Sequence, residues 1–366
     1  MKIGVLKCTE ENLVAAVPKV AAKYIKNDAK VLIEKGAGSN SNYEDQSYTD
    51  LGVELASRKE ILTGCDIILT YSGIEPSEVS SINKNALVIG KFNARVESDL
   101  IKALKENKLR AFSLDLLPRS SIAQSMDVLS SLASLSGYKA VLTAADNFPG
   151  YLPMMTTSAG TIPPAKVMIL GAGVAGLQAI ATARRLGSIV EVFDVRSAVK
   201  EEVQSLGGKF IEVEGATENA AAGGYAVEQT EEYIQKQKEL IHQTALKADI
   251  VITTANIPGR QAPQLIEKRT VEGMKAGSVI VDMATASGGN VDLSKDDQTV
   301  DVDGVKIIGD SKLYNQMGAQ SSLVYSNNVF NFLQYVLKEG IENIDYESDI
   351  VSNTLLYKEE NTAVKA

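Results

Sequence analysis

Ala165-Lys166-Val167-Met168-Ile169-Leu170-Gly171-Ala172-Gly173-Val174-Ala175-Gly176-Leu177-Gln178-Ala179-Ile180-Ala181-Thr182-Ala183-Arg184-Arg185-Leu186-Gly187 decides the fold. Its first six residues read as a buried strand, the glycines as a G-x-G-x-x-G turn, and Leu177 to Leu186 as a helix stopped by Gly187. A second strand follows, Ile189 to Phe193, with Asp194 at its end. Each part has a physical job. Gly171 permits the tight turn, Gly173 lets backbone approach a pyrophosphate, and Gly176 lets helix and strand pack closely. The helix start, with Val174 and Ala175, offers free N–H groups and a positive dipole end to phosphate. Asp194 is placed to accept hydrogen bonds from ribose hydroxyls, which favours NAD(H) and repels the extra phosphate of NADP(H). A plain structural βαβ turn would use the same glycines, but here all five parts fall in register. Val195 and Arg196 continue the acidic end of the strand. Arg196 has three readings: a partner for a ribose phosphate, a stacking partner for adenine, or a solvated charge.

Working outward, 366 residues are too many for one typical core, which predicts two domains. Charged residues at 23% and hydrophobic residues at 45% are ordinary globular composition. A net charge of −9 argues against nucleic acid or an anionic membrane surface as the main partner. No apolar run approaches a membrane span and no signal-peptide pattern precedes Lys2-Ile3-Gly4-Val5-Leu6, so the expected compartment is the cytoplasm, without direct membrane insertion. Cys8 and Cys65 are the only cysteines, which excludes a disulfide framework and predicts two reduced, buried thiols; no metal site is expected.

In chain order, Lys2 to Leu6 reads as a strand, and helical periodicity covers about Leu13 to Lys26. Lys30 to Glu34 is a second strand, followed by Gly36-Ala37-Gly38, which lacks a helix start and reads as a turn. Further strands are expected at Asp66 to Thr70, Ala86 to Gly90 and Arg110 to Leu114. Strands alternating with helices mean a parallel sheet covered on both faces. The domain with the glycine fingerprint continues through strands at Ala248 to Thr253, Ser278 to Asp282 and Lys306 to Gly309. A last helix, about Ser326 to Lys338, is expected to pack back on the first domain, and the polar tail from Glu347 to be loosely ordered. The fold class is therefore α/β, with two Rossmann-like doubly wound parallel-sheet domains and a cleft between them. Residues 1–135 plus 312–366 form the first, discontinuous domain, and residues 136–311 the NAD(H)-binding one.

The second informative stretch is Leu117-Pro118-Arg119-Ser120-Ser121-Ile122-Ala123-Gln124-Ser125-Met126-Asp127-Val128-Leu129-Ser130-Ser131. On a helix Gln124, Asp127 and Ser130 share one side, and Arg119 precedes the start. Such a stripe suits a nicotinamide carboxamide and a buried ion pair. Structural readings stand beside it: Ser121 with Gln124 fits a capping box, and Arg119 with Asp127 a simple salt bridge.

The fingerprint, Arg119 to Ser131, Pro153-Met154-Met155, Ala159 to Ala165, Asp194-Val195-Arg196 and Gly223-Gly224-Tyr225 together resemble the NAD(H)-binding component (domain I) of proton-translocating NAD(P)+ transhydrogenases, relatives of alanine dehydrogenase. The resemblance implies direct hydride transfer between NADH and NADP+, the NADP(H) being held by a partner subunit. It further implies membrane-embedded partner subunits that translocate protons, peripheral attachment to the inner face of the membrane through them, and a homodimer. It places Gln124 against the nicotinamide and Arg119, Asp127 and Ser130 around the carboxamide. Gly171, Gly173, Val174, Ala175, Gly176, Asp194, Val195, Arg196, Thr254 and Ala255 complete the expected nucleotide contacts. Tyr225, with Gly224, belongs by resemblance to a mobile loop closing over the nucleotide; the composition of Gly215 to Tyr225 suits that loop or a surface linker.

The chain also departs from the family. Lys7 to Val14 lacks the usual arginine, Leu69 to Gly73 lacks a lysine, and Thr285-Ala286-Ser287 lacks an acidic residue before Gly288-Gly289-Asn290. The only histidine, His242, lies in the polar run Glu231 to Lys247 and reads as an exposed helix residue. Dehydrogenases that oxidise an alcohol or amine move a proton with the hydride, normally through His or Lys. Transfer between two nicotinamides needs only proximity, the rings held about 3–3.5 Å apart with water excluded. Two rivals remain at this level: an alanine dehydrogenase-like enzyme and a non-catalytic NAD(H)-binding protein.

Overall fold

A computed structural model of the protein describes residues 1–213, 230–257 and 259–357. The chain divides into two compact units, Met1–Leu132 with Asn315–Ala366, and Ala133–Tyr314. The first holds strands β1 (Lys2–Val5), β2 (Lys30–Glu34), β3 (Glu54–Ala56), β4 (Ile67–Leu69), β5 (Leu87–Gly90) and β6 (Arg110–Ser113). Between them run helices α1 (Pro18–Lys26), α2 (Asp45–Thr49), α3 (Arg58–Gly64) and α4 (Asp99–Glu106). Helix α5 (Val128–Asn147) follows, then a hairpin of β7 (Met155–Thr157) and β8 (Gly160–Ile162). The second unit's sheet is built from β9 (Lys166–Leu170), β10 (Ile189–Phe193), β11 (Lys209–Ile211), β12 (Ile250–Thr253), β13 (Val279–Asp282), β14 (Gln298–Val302) and β15 (Val305–Gly309). Its helices are α6 (Val174–Arg185), α7 (Lys200–Ser205), α8 (Glu231–Ala245) and α9 (Lys268–Gly273). Helices α10 (Gly318–Val336) and α11 (Asp349–Thr354) complete the first unit.

Both sheets are doubly wound. The first runs β3-β2-β1-β4-β5-β6, all parallel, and the second β11-β10-β9-β12-β13-β15-β14, parallel except for β14 on the edge. In such sheets ligands bind beyond the strand C-termini where the order reverses. That reversal lies between β9 and β12 in the second unit, so the glycine fingerprint leaves the right strand. Gly36-Ala37-Gly38 leaves β2, away from the reversal between β1 and β4, and is the turn that the sequence suggests, with the Ala37 N–H on the Glu34 carbonyl at 2.9 Å.

β9 is apolar on both faces because both are covered. Val167 and Ile169 pack with Ala140, Val141 and Ala144 of α5 and with Ala179, Ile180 and Ala183 of α6. Met168 and Leu170 pack with Ile241 and Ala245 of α8 and Val271 of α9. Each buried aliphatic side chain contributes about 1.5–3 kcal/mol. Cys8 and Cys65 are buried free thiols, and burial pushes the Cys65 thiol up to about 11, which suits an inert role. Among the described residues no helix is long and apolar enough to cross a membrane.

Three expectations are corrected. α10 starts at Gly318, not Ser326, because its serines are buried hydrogen-bonding groups rather than helix-breaking surface residues. Ser322 accepts the Val14 N–H and Ser326 the Val17 N–H, each at 3.0 Å. Those bonds hold 14–17 out of helix, so α1 begins at Pro18 in the first-turn position, not at Leu13. The tail is not loose through its whole length: Ile350, Val351 and Thr354 are buried on α11, and the Leu356 N–H reaches the Ala111 carbonyl at 2.9 Å. Residues 358–366 lie outside the described residues.

Ser326→Ala leaves the buried Val17 N–H without its acceptor, so urea unfolding should show a loss of about 1–3 kcal/mol. An unchanged midpoint would remove this serine from the account of where α1 begins.

Candidate functional site

The turn from β9 into α6 shows why each glycine is there. Gly171 has φ +101°, and a Cβ on it would come 2.6 Å from the Thr254 hydroxyl. A Cβ on Gly176 would collide with the Gly171 carbonyl oxygen. Both are therefore demanded by the fold. Gly173 is not: its φ is −79°, and a Cβ there would meet no atom within 4 Å. Gly173 is the N-cap of α6 and makes no side-chain cap, and the first turn holds no acidic residue. Val174 is exposed and Ala175 half-buried, so the first N–H groups of a twelve-residue helix end at accessible surface. The N-terminus of a helix can receive an anion through such N–H groups.

Asp194 stands at the end of β10, its side chain 6% exposed. Oδ2 accepts the Ala172 N–H at 2.7 Å, tying the second strand to the glycine turn. Arg196 donates to both carboxylate oxygens, from Nε at 2.9 Å and Nη2 at 2.7 Å, and its backbone N–H reaches Oδ1 at 2.9 Å. The arginine is thus an ion-pair partner of Asp194, not a solvated charge, and this hydrogen bonding raises its pKa above the usual value. Burial first, and the Asp194 carboxylate second, push the Tyr233 hydroxyl of α8 above its usual range. Val195 is half-buried against the apolar cluster under β9.

Thr254 and Ala255 follow β12 across the reversal. Thr254 braces the turn, donating from its hydroxyl toward the Gly171 carbonyl at 3.1 Å and from its N–H to the Leu170 carbonyl at 2.8 Å. Ala255 is held by a residue whose role the sequence left unread, Asn290. This fully buried amide accepts the Ala255 N–H at 3.1 Å and donates to the Ala255 and Pro263 carbonyls, each at 2.8 Å. Asn290 is in turn fixed by Asp282 at the end of β13, a fully buried carboxylate. It accepts from Thr253 at 2.9 Å, Ala284 at 3.0 Å, Asn290 at 2.9 Å, Val291 at 3.2 Å and Ser294 at 2.6 Å. An aspartate closing an apolar strand and an asparagine after two glycines were the available signals.

The stretch carrying Arg119, Gln124, Asp127 and Ser130 is not one helix, and the expected stripe is corrected. Ala123–Met126 is a 3-10 turn, and Asp127 is extended at φ −71°, ψ 94°. The Ser125 carbonyl is turned toward α10, where Asn328 and Asn331 donate to it at 2.9 and 3.0 Å. α5 then starts afresh at Val128. Asp127 sits in the capping position: its Oδ1 accepts the Ser130 N–H at 2.9 Å and its Oδ2 the Ser130 hydroxyl at 2.6 Å. The capping box imagined for Ser121 and Gln124 is absent, and Ser120 instead accepts the Ala123 N–H at 3.3 Å. Arg119 and Gln124 are exposed, Asp127 and Ser130 half-buried. Gly224 and Tyr225, with the segment 214–229, lie outside the described residues. His242 is half-buried rather than exposed, its Nδ1 2.8 Å from the Thr270 hydroxyl.

A glycine turn at the sheet reversal, with an uncapped helix start and a carboxylate closing the next strand, is the architecture of the dinucleotide-binding α/β class. The chain belongs to the alanine dehydrogenase/PNT family: the N-terminal domain matches over residues 7–136 and the C-terminal domain over residues 140–365. It is 41% identical to an NAD(P) transhydrogenase alpha-subunit chain of Rickettsia prowazekii, over 98% of this chain and 95% of that one. The crystal structure of transhydrogenase from Sinorhizobium meliloti superposes with a TM-score of 0.89 at 38% identity, covering 98% of each chain. Alanine dehydrogenase of Methanococcus maripaludis is more distant, 26% identical over 99% of this chain and 93% of that one.

The glycines separate structure from binding. Gly176→Ala should cost about 1–3 kcal/mol in thermal unfolding, because backbone must shift to admit the methyl group. Gly173→Ala should change stability by less than about 0.5 kcal/mol. Equal losses at both would mean that the fold alone demands Gly173.

Proposed function

We propose that this chain binds NAD(H) and presents its nicotinamide to NADP(H) held by a partner subunit of a proton-translocating transhydrogenase. One observation carries the nucleotide reading: Gly173 is a glycine that the fold does not require, at the N-terminus of an uncapped helix leaving the switch-point strand. A side chain there meets no protein atom but stands where a pyrophosphate approaches the N–H groups of Val174, Ala175 and Gly176. Asp194 serves the adenosine ribose, and Thr254 and Ala255, held by Asn290, form the wall beyond β12.

Bound as NADH the nucleotide would supply the hydride, and bound as NAD+ it would accept one. The chain's own residues supply position. By family resemblance Gln124, Arg119, Asp127 and Ser130 hold the nicotinamide end, and a transfer between two nicotinamides requires no general acid or base. The kinship with transhydrogenase alpha subunits supports the same assignment. In this reading membrane-embedded subunits translocate protons, and the chain attaches to them from the cytoplasmic side without entering the bilayer. By the same family resemblance the chain forms a homodimer.

Gln124→Asn should leave NADH affinity nearly unchanged while slowing hydride transfer to the partner-bound nucleotide, by up to about a hundredfold, since misplacement of about 1 Å has that effect. Stopped-flow transfer rates beside NADH titrations test it. An unchanged rate would return Gln124 to a structural turn. Gly173→Ala should weaken NADH binding without loss of stability, and equal affinity would remove the pyrophosphate from this turn.

A further inference from the structure

The carboxylate assigned to the ribose is already saturated by protein. An ionised carboxylate offers about four acceptor sites, and the Asp194 carboxylate accepts from the Ala172 N–H, the Arg196 N–H, and the Nε and Nη2 of Arg196. A ribose diol brings two further donors, so two of these four must withdraw. The Ala172 and Arg196 N–H groups are fixed in the glycine turn and in the chain leaving β10. The guanidinium is on a flexible side chain that reaches back only two residues and is 26% exposed, against 6% for Asp194. It is the donor pair able to leave. Its planar fork also matches a vicinal diol, presenting two adjacent donors to one carboxylate.

We propose that Arg196 occupies the ribose's place on Asp194, and that binding of NAD(H) exchanges its guanidinium for the two adenosine-ribose hydroxyls. The inference rests on the NAD(H) reading above and deepens it. Arg196 is then a specificity-determining residue. In the nucleotide-free chain it neutralises and desolvates the carboxylate, so only a ligand that replaces two donors side by side displaces it without stranding a buried charge. Because the ion pair competes with the nucleotide, the arginine weakens NAD(H) binding, which suits a site that must exchange oxidised and reduced nucleotide in every cycle.

Calorimetric NADH titrations of the full chain test this with five proteins: unmodified, Arg196→Gln, Arg196→Lys, Asp194→Asn and the Asp194→Asn/Arg196→Gln double variant. Arg196→Gln should bind NADH several-fold more tightly. The same substitution should have no effect in the Asp194→Asn background, where there is no charge to compete for. Arg196→Lys, which keeps the charge but loses the fork, should fall between the unmodified chain and Arg196→Gln. NADH binding by Arg196→Gln that is weaker than or equal to that of the unmodified chain would overturn the proposal and make the arginine an orienting group or a direct nucleotide contact. So would an unchanged NADH affinity with a selective loss of NADPH binding, which would give the arginine to a ribose phosphate. Failure of the unmodified chain to bind NADH at all would instead refute the functional reading on which the inference rests.

Discussion

The passage from β9 into α6 is the constraint on which the site depends. Gly176 lies against the Gly171 carbonyl so closely that no side chain fits, and Gly171 adopts a backbone conformation that other residues rarely take. This contact lets α6 start directly at the end of the switch-point strand, with its first N–H groups at accessible surface. Two further bonds hold the turn in place: Asp194 to Ala172 from β10, and Thr254 to the Gly171 carbonyl from the chain after β12. The neighbours of β9 on both sides thus brace the same few residues. Gly137 of α5 adds a third brace, since a Cβ there would collide with the Ala175 carbonyl.

Behind this turn the buried polar groups form a second layer. Asp282 collects five donors and Asn290 links the 255 and 263 carbonyls, so the loop beyond β12 is a built wall rather than a free connection. Each such group costs about 1–3 kcal/mol if stranded, which makes the wall cooperative. In the first unit α10 plays the equivalent role through Ser322, Ser326 and the Tyr325 hydroxyl, which reaches the Thr70 carbonyl at 2.7 Å.

The parallel α/β architecture, the fingerprint and its acidic partner were legible in the sequence because they follow from local spacing: short apolar runs, obligatory glycines, one carboxylate. What escaped was set by distant partners. The start of α1 depends on serines some three hundred residues away, and those serines look like helix breakers until their buried acceptors and donors are seen. At the break before Asp127 the Ser125 carbonyl accepts from Asn328 and Asn331 of α10, partners that no helical wheel contains. Arg196 illustrates the same limit: its spacing admitted three roles, and its fork on Asp194 adds a fourth. Asn290 went unread because an asparagine after two glycines looks like a turn, not like a clamp.

The central claim is that this chain positions a nicotinamide for transfer to a second nicotinamide and moves no proton itself. Its one histidine is engaged with Thr270. The most direct measurement monitors reduction of an NAD+ analogue of shifted absorbance by NADPH. The chain is mixed with a recombinant NADP(H)-binding transhydrogenase domain, beside a second reaction holding the chain alone with NADH, pyruvate and ammonia. The account predicts rapid analogue reduction only when both proteins are present, and no turnover in the second reaction. Oxidation of NADH by pyruvate and ammonia with the chain alone would contradict it and make the protein a self-sufficient amino-acid dehydrogenase.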